Sequence, residues 1–300
     1  MPIPFSCPYC GESTLVDEPF AGHTGPCVNC GRLVTVPSAQ QRFSLQTAVR
    51  GMNRGNWQAV IIISLFLVGI GIAFYTFYQA VGKPALVAAN QAAAKRTCAN
   101  NLRKIGQAIL AYQAAHAGAF PPAYSADATG KPLHSWRVLI LPYLGPEGQT
   151  LHQQLNLNEP WNSPQNAALA GRMPRIYASP LDQNALNLHE SNYHAIIGKR
   201  TMWPDGDSRK LIDIKDGAAN TLLVIETKSN GKSWMEPNVD LTEFNDYQIG
   251  GDLGGNHASG ANALFADGEV HFLNDTITAE DVEAMVTVSG GENVVPPDKP

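Results

Sequence analysis

Four of the five cysteines lie within the first 30 residues, in a pattern that suits metal chelation. Cys7 and Cys10 form one Cys-x-x-Cys pair, Cys27 and Cys30 form a second, and 16 residues separate the pairs. Such a loop aims two thiolates at one ion, and two loops complete a tetrahedral site. The glycine after each pair permits a left-handed backbone that turns amide groups toward the sulfurs. The four cysteines are therefore predicted to bind zinc in a zinc ribbon at residues 1–37.

Structural disulfides and a thioredoxin-like redox pair are the alternative chemistries for cysteine pairs. Neither chemistry is expected for two matched Cys-x-x-Cys pairs in so short a segment that lacks a strand-helix-strand unit. His23 could replace one sulfur, but with four cysteines present we expect it to face solvent. So small a unit cannot fold by apolar burial alone, which favours a structural role for the ion.

A zinc ribbon also suggests a regulator that contacts nucleic acid. Residues 1–37 hold three acidic side chains against Arg32 alone, so the positive footprint of a phosphate-binding surface is missing. The whole chain has a formal net charge of -5, and residues 81–300 carry 17 basic against 23 acidic side chains. We therefore expect no nucleic-acid partner.

A second group of residues that could do chemistry lies toward the C-terminus. Glu226 ends the apolar run TLLVIE, and a carboxylate at a strand end can act as a general base or metal ligand. His257 lies in the glycine-rich stretch GNHASG, where a lone histidine is more often a hydrogen-bonded structural group. The sequence does not show whether His257 or Asp252 approaches Glu226. A carbohydrate-binding or hydrolase-like enzyme using Glu226 and His257 is therefore the alternative to a structural role.

The remaining candidates favour structural roles. Cys98 falls on an apolar helical stripe and is interpreted as a core residue rather than a nucleophile. Trp234, in WMEPNVDLTEF, could stack on a sugar or contact a partner protein, or it could be buried in its own domain. We favour burial. No Gly-x-Ser-x-Gly elbow, His-Glu-x-x-His helix or dinucleotide fingerprint occurs. No catalytic residue, no cofactor other than zinc and no small-molecule substrate is therefore assigned.

The element that separates these two groups is an apolar run at residues 57–80, inside a stretch without charges at residues 55–82. Twenty-four helical residues rise about 36 Å, which is enough to cross a bilayer. Trp57 at one end and four aromatic rings at the other suit the two interfaces. A buried core helix would rarely be so uncharged, and a signal peptide would not follow a metal-binding leader. We predict a transmembrane helix at 57–80 after a linker at 38–56.

The charges flanking this helix leave its orientation nearly balanced, because basic residues both precede and follow it. Thiolate zinc sites belong most naturally to reducing compartments, which favours a cytoplasmic N-terminus. We therefore expect a single-pass protein of the inner (cytoplasmic) membrane, with a periplasmic or otherwise extracytoplasmic C-terminal domain. Its expected partners are the membrane, other envelope proteins, or further copies of itself.

Residues 81–290 are predicted to form one α+β domain, followed by a flexible tail at 291–300. A helix is expected beyond Pro84, and WRVLILPYL predicts a helix cut by Pro142. NYHAIIG and TLLVIET predict strands, and NALFADGEVHFL predicts a hairpin with a type I′ turn at Asp267 and Gly268. A long helix before short strands favours an antiparallel sheet packed on that helix. The apolar stripe of the helix consists of Ala94, Cys98, Leu102, Ile105, Ile109 and Tyr112.

Four ordered stretches resemble the landmarks of a pseudopilin-like family that is abundant in planctomycete bacteria: AAAKRTCANNLRKIGQAILAYQAAHAGAFPPA, SWRVLILPYL, LIDIKDGAANTLLVIE and GNHASGANALFADGEVHFL. The C-terminal signature of that family, a histidine, nine residues and Asp-Gly, is matched by His257, Asp267 and Gly268. The resemblance covers about residues 86–280. It implies a helix half embedded in the membrane and half packed on a C-terminal sheet domain, similar to type IV pilins and type II secretion pseudopilins, but no defined activity.

Two positions depart from the pattern of that family. RGNWQAV lacks the glutamate expected near the start of the mature helix, and a zinc ribbon stands in front, so neither processing nor pilus assembly is implied. YASPLDQ has Ala178 where relatives often have a cysteine, so the resemblance gives Cys98 no disulfide partner. The order of ribbon, span, helix and sheet favours a non-enzymatic envelope protein with a structural or interaction role. The ribbon would then be a docking or signalling module.

Overall fold

The computed structural model describes residues 2–38, 54–242, 247–251, 253–291, 294 and 296–297. The chain divides into two compact units, Met1–Pro84 and Ala85–Pro300. The predicted linker falls mostly on residues 39–53, which lie outside the described residues. The same is true of Asp252 and of most of the predicted tail.

Residues 2–38 form two antiparallel hairpins of similar construction. Strand β1 (Ile3–Ser6) pairs with β2 (Ser13–Val16), and β3 (Thr24–Pro26) pairs with β4 (Leu33–Thr35). The buried apolar side chains among these residues are Ile3, Cys7 and Val36. So small a core is not enough to hold two hairpins together without a cross-link.

One long helix follows, in which α1 (Arg54–Phe77) and α2 (Lys83–Ala115) are joined by a π-helical segment, Tyr78–Gly82. Lys83 N–H donates to Tyr78 O, five residues back. Pro84 comes next and has no N–H to donate. The π-helical turn therefore lies where an α-helix would lose a backbone hydrogen bond in any case. The helix thus runs through Pro84 without a break, as the resemblance implied.

The second half of α2 buries one face. The buried members of the predicted stripe are Ala94, Cys98, Leu102, Ile105 and Ile109, and Tyr112 is half-buried. The helical period read from the sequence is therefore confirmed. Gly106 lies on the same face, where an added Cβ would come within 2.7 Å of Leu264 Cδ1. A small residue is what lets the helix backbone approach its neighbour so closely.

Short elements follow α2. β5 (Tyr124–Ala126) pairs with β6 (Pro132–Ser135). The short helices are α3 (Trp136–Leu139), α4 (Pro146–Gln154), α5 (Pro164–Ala167) and α6 (Gln183–Leu188). After α3 the chain makes a separate 3-10 turn at Leu141–Tyr143, so the predicted interruption at Pro142 is confirmed. Three tryptophans, Trp136, Trp203 and Trp234, are fully buried in this region.

The main sheet is four-stranded and antiparallel, in the order β12, β11, β9, β7. Its strands are β7 (Tyr193–His194), β9 (Leu222–Glu226), β11 (Gly260–Phe265) and β12 (Val270–Asn274). A separate parallel pair joins β8 (Ile196–Ile197) to β10 (Leu241–Thr242). The strands lie in the runs predicted for them, and the α+β class is confirmed.

The hairpin of β11 and β12 forms as predicted, but its turn is not type I′. That turn needs positive φ at both central residues, whereas Gly268 has φ +90° and Asp267 keeps a negative φ. Gly268 N–H donates to Phe265 O, and Phe265 N–H donates to Glu269 O. This is a type I turn closed by a glycine bulge, so the glycine alone takes the left-handed conformation.

Both faces of the sheet are covered. On one face, Val224 and Leu264 belong to the same apolar cluster as the buried side of α2. On the other, Ile225 and Phe265 pack with α7 (Ala279–Val286), which buries its own apolar stripe. The sequence had indicated a helix on one face only, because the eight residues of α7 span barely two turns of periodic pattern.

Candidate functional sites

Each Cys-x-x-Cys pair sits at the turn of one N-terminal hairpin. Cys7 N–H donates to Glu12 O at 2.9 Å, and Gly11 N–H donates back to Cys7 O. Cys27 and Gly31 repeat this arrangement in the second hairpin. The two glycines have φ of +73° and +71°, so both left-handed positions inferred from the spacing are present. Two copies of one turn thus present their cysteines in the same way.

The four thiols converge on one point. Cys7 Sγ lies 3.8 Å from Cys30 Sγ, Cys10 Sγ lies 3.8 Å from Cys27 Sγ, and all four sulfurs are within 4.8 Å of one another. A tetrahedron with metal-sulfur bonds of about 2.3 Å has edges of about 3.8 Å. The backbone N–H of Tyr9 lowers the pKa of the Cys7 thiol to about 7. None of the five cysteines forms a disulfide. The thiols form a candidate metal site.

The surroundings of the thiols are apolar and accessible. His23 is exposed, as expected, and is not part of the sulfur cluster. It borders a cavity of about 440 Å³ that is also lined by Phe5, Val16, Phe20 and Val34. Several further apolar side chains of the hairpins are exposed: Tyr9, Leu15, Val28 and Leu33. The two hairpins therefore expose a large apolar surface for a segment of only residues 2–38.

Glu226 and His257, which the sequence could not connect, meet in the large unit. His257 Nε2 lies 3.1 Å from Glu226 Oε2, and Asn262 Nδ2 donates to the same oxygen at 2.9 Å. Asn262 Nδ2 is also 3.4 Å from His257 Nε2. Glu226 and Asn262 are fully buried, and His257 retains 8% of its exposure. The three side chains form one compact polar cluster inside an apolar region.

Strand alternation explains how these residues meet. Glu226 follows Val224 by two positions on β9, and Asn262 precedes Leu264 by two on β11, so both point to the face covered by α2. His257 enters from the turn before β11, where it makes a bridge with Gly260. An added Cβ on Gly260 would lie 2.2 Å from the backbone oxygen of the neighbouring strand, so only glycine fits.

Cys98 of α2 is the third member of this site. Its sulfur, the Glu226 carboxylate and the His257 ring nitrogen all lie within 4.8 Å of one another. Cys98 Sγ is also 3.3 Å from Ser179 Oγ. Burial and the charge of Glu226 raise the pKa of the Cys98 thiol to about 12. The residue is fully buried, so its predicted place in the core is confirmed, but its neighbours are polar.

Charge and hydrogen bonding in the cluster are only partly balanced. Burial alone would raise the pKa of Glu226, but the hydrogen bond and charge of His257 and the amide of Asn262 lower it overall. Glu226 is therefore ionised at neutral pH. Two buried oxygens, Glu226 Oε1 and Asn262 Oδ1, have no hydrogen-bond partner within the part of the chain that the structure describes. The arrangement can hold a charge or an ion, but it offers little access to a substrate.

Trp234 and Arg137 have structural positions. Trp234 is fully buried and donates from Nε1 to Ala170 O at 2.9 Å, which confirms its predicted burial in its own domain. Arg137 and Asp240 form a fully buried ion pair at 2.7 Å that sequence reasoning missed. A charged residue inside the apolar run WRVLILPYL was the available signal, because a buried charge requires a partner.

Comparison with known proteins places the chain in a family. A family model for proteins of unknown function, DUF1559, matches residues 87–245, slightly more than half of the chain. The matched part contains Cys98 and Glu226 and ends before His257. No curated protein and no solved structure matches the chain. The chain belongs to the DUF1559 family.

Proposed function

We propose that this protein is a single-pass protein of the inner (cytoplasmic) membrane, with a pseudopilin-like domain that has a structural or interaction role in the cell envelope. The exposed apolar surface of α1 carries the proposal. Its large side chains are exposed along the whole run from Trp57 to Phe77. An apolar surface of this size on a soluble protein would cause aggregation, whereas a lipid bilayer would bury it.

Length and burial together support a membrane span over a core helix. Trp57–Ala115 contains a stretch long and apolar enough to cross a membrane, and 0% of its most apolar window is buried. A core helix of a soluble protein would bury that stretch. The second half of the same helix buries a stripe that includes Leu102 and Ile105, as a pseudopilin-like helix packed on a sheet would do.

The ion that best fits the four N-terminal thiols is zinc. Four thiolates with sulfur-sulfur distances of 3.8 Å suit a tetrahedral ion with soft ligands. Its role would be structural, because residues 2–38 bury only Ile3, Cys7 and Val36 among their apolar side chains. The exposed apolar side chains around Phe20 and the nearby cavity support a docking or signalling module that contacts another protein.

Thiol chemistry supports a cytoplasmic N-terminus. Thiolates that must stay reduced to hold zinc are stable in the cytoplasm and are prone to oxidation outside it. The large domain would then be periplasmic or otherwise extracytoplasmic. The acidic excess of residues 81–300 agrees with a partner other than nucleic acid.

A topology experiment tests this arrangement. The full chain carries one epitope tag at its N-terminus and a different tag at its C-terminus, and protease is added to spheroplasts of the producing cells. We expect the C-terminal tag to disappear at once and the N-terminal tag to survive until lysis. A variant lacking residues 57–80 is the matched control and should leave the membrane fraction. Loss or survival of both tags together would contradict the proposal.

An extracytoplasmic carbohydrate-binding or hydrolase-like enzyme remains the second candidate, because Glu226 and His257 lie 3.1 Å apart. Burial argues against it, since a general base must reach the proton that it removes. The conservative variants Glu226→Gln and His257→Gln separate the two roles. If the domain is structural, any envelope phenotype should follow the amount of folded protein. A phenotype at wild-type protein level and stability would favour the enzyme.

A further inference from the structure

The polar cluster beneath α2 brings together three kinds of metal-binding atom. Cys98 offers a sulfur from α2, Glu226 an oxygen from the end of β9, and His257 a nitrogen from the turn before β11, all within 4.8 Å of one another. All three residues are buried. Each comes from a different segment of the fold, so their convergence is not a by-product of one local turn.

Hydrogen bonding among the protein groups does not account for this cluster. The contact of His257 Nε2 with Glu226 Oε2 is an ordinary buried pair, but among the described residues Glu226 Oε1 has no hydrogen-bond partner. Asn262 Oδ1, at the same site, has none either. Buried polar atoms of folded proteins are mostly hydrogen-bonded, so two unpaired oxygens in one cluster point to a ligand that could satisfy them. Cys98 Sγ lies 3.3 Å from the Ser179 hydroxyl and also interacts with the side chains of Glu226 and Tyr193.

We infer that Cys98, Glu226 and His257 bind one transition-metal ion of the zinc type, at a site separate from the four N-terminal cysteines. A thiolate and a carboxylate together neutralise a dication, so the ion can be buried without a net charge. Sulfur and imidazole ligands select zinc and its neighbours over magnesium and calcium, which prefer oxygen. Asn262 is the next polar side chain available to the ion. The ion would fasten α2 to β9 and β11, and this inference does not depend on the membrane orientation.

Metal stoichiometry of the full-length protein tests the inference without disturbing the large unit. In the first variant, Cys7, Cys10, Cys27 and Cys30 are all replaced by serine, which leaves Cys98 as the only cysteine. The variant is purified in detergent, equilibrated with Zn²⁺, passed through a desalting column and analysed for zinc. We expect one zinc per chain. Zero zinc per chain in this variant would overturn the inference.

Two further substitutions on that background identify the ligands. Cys98→Ser should lower the zinc content from one per chain to less than 0.1, about a tenfold loss. Ser179→Ala, which removes a neighbour of Cys98 that is not a proposed ligand, should retain one zinc per chain. With Co²⁺ in place of zinc, the parent variant should show a sulfur-to-cobalt charge-transfer band that Cys98→Ser lacks. Zinc or the cobalt band retained in Cys98→Ser would overturn the assignment of Cys98.

Discussion

The Glu226 and His257 side chains are paired where water cannot replace either partner. Removing the imidazole with His257→Ala leaves a buried carboxylate with the amide of Asn262 as its remaining hydrogen-bond donor in the cluster. We expect a loss of about 3–5 kcal/mol in the free energy of unfolding, as is usual when one member of a buried pair is removed. Urea unfolding of the full chain in detergent, followed by tryptophan fluorescence, measures this change.

The control for that experiment is His116→Ala, since His116 is exposed, lies directly after the end of α2 and stacks its ring on Tyr112. Its substitution should cost less than about 1 kcal/mol. Equal losses in the two variants would show that the buried pair contributes nothing beyond an ordinary histidine contact.

His194 predicts how stability depends on pH. Its ring is buried, with Nδ1 2.6 Å from Thr227 Oγ1. Burial, reinforced by the charge of Arg137, lowers the pKa of His194 to about 3. The unfolded chain, in which the pKa of histidine is about 6.5, binds more protons, so stability falls as the pH drops from about 6.5 toward 3. We expect the titration of His194 to lower the free energy of unfolding by about 1.4 kcal/mol when the pH falls from 7.5 to 5.5.

Urea midpoints measured at those two pH values check the prediction. His194→Asn cannot titrate in this range, so its stability should change less between pH 7.5 and 5.5 than that of the wild type. An unchanged pH dependence in the variant would assign the effect to other groups.

At the residue scale, local spacing could be predicted and distant pairing could not. Cys7 and Cys10 are brought together by one turn, so their spacing alone indicates shared chemistry. Glu226 ends β9 and His257 lies in the turn before β11, and nothing in the sequence shows that the two side chains meet. Strand alternation does predict part of the polar cluster, because it places Glu226 and Asn262 on the same face of the sheet, the face that α2 covers.

Among the elements, the start of β11 depends most on one residue. Gly260 has φ +154°, and a Cβ there would lie 2.2 Å from Leu273 O and 2.7 Å from the Phe272 ring. We expect Gly260→Ala to cost about 3 kcal/mol or more, because strand backbones must separate to accept it. Thermal unfolding of the full chain in detergent measures the effect.

Gly130→Ala separates backbone conformation from crowding. Gly130 also has a positive φ, +85°, but an added Cβ there would meet no atom within 4 Å. Its substitution should cost about 1 kcal/mol, the strain of a left-handed residue alone. A loss at Gly260 no larger than at Gly130 would mean that the neighbouring strand moves aside easily.

The elements themselves were predicted better than their boundaries and turns. The helical stripe through Leu102 and the strands through Val224 and Leu264 followed from apolar periodicity, which burial enforces. The type I′ turn was wrong, because Asp-Gly also fits a type I turn with a glycine bulge. The long helix implied by the resemblance is confirmed, and a π-helical segment carries it through Pro84.

At the scale of the whole molecule, the two compact units should respond separately to damage. Cys10→Ser removes one exposed thiol of the four and should abolish metal retention at the N-terminal cluster. Protease cleavage within residues 2–38 should then become at least about tenfold faster, because these hairpins have almost no core of their own. Limited proteolysis followed by mass spectrometry measures both units at once.

Ser13→Ala, at an exposed position of the same hairpin, is the matched control and should leave cleavage unchanged. The tryptophan unfolding transition of the large unit should be the same in wild type and Cys10→Ser. A shift of that transition would show that the two units are energetically coupled.

The α+β class of the large unit could be read from the order of its elements, since a long helix before short strands leaves few other arrangements. The helix that covers the second face of the sheet, α7, could not be predicted, because it is too short to give a clear periodic pattern of apolar residues. The surroundings of Glu226 could not be predicted either, because its neighbours Cys98 and His257 lie far from it along the chain.

The position of the twin cysteine turns ahead of the apolar helix has a consequence for biosynthesis. A ribosome finishes all four sulfur ligands before it begins the segment that would stop in the bilayer. At about 5–20 residues per second, a nascent chain has seconds in which to capture an ion. An ion that cross-links the two hairpins would fold this end early, and a folded, cross-linked segment would pass a translocation channel less easily than an extended chain. The order of synthesis would then hold this end of the chain on the ribosome's side.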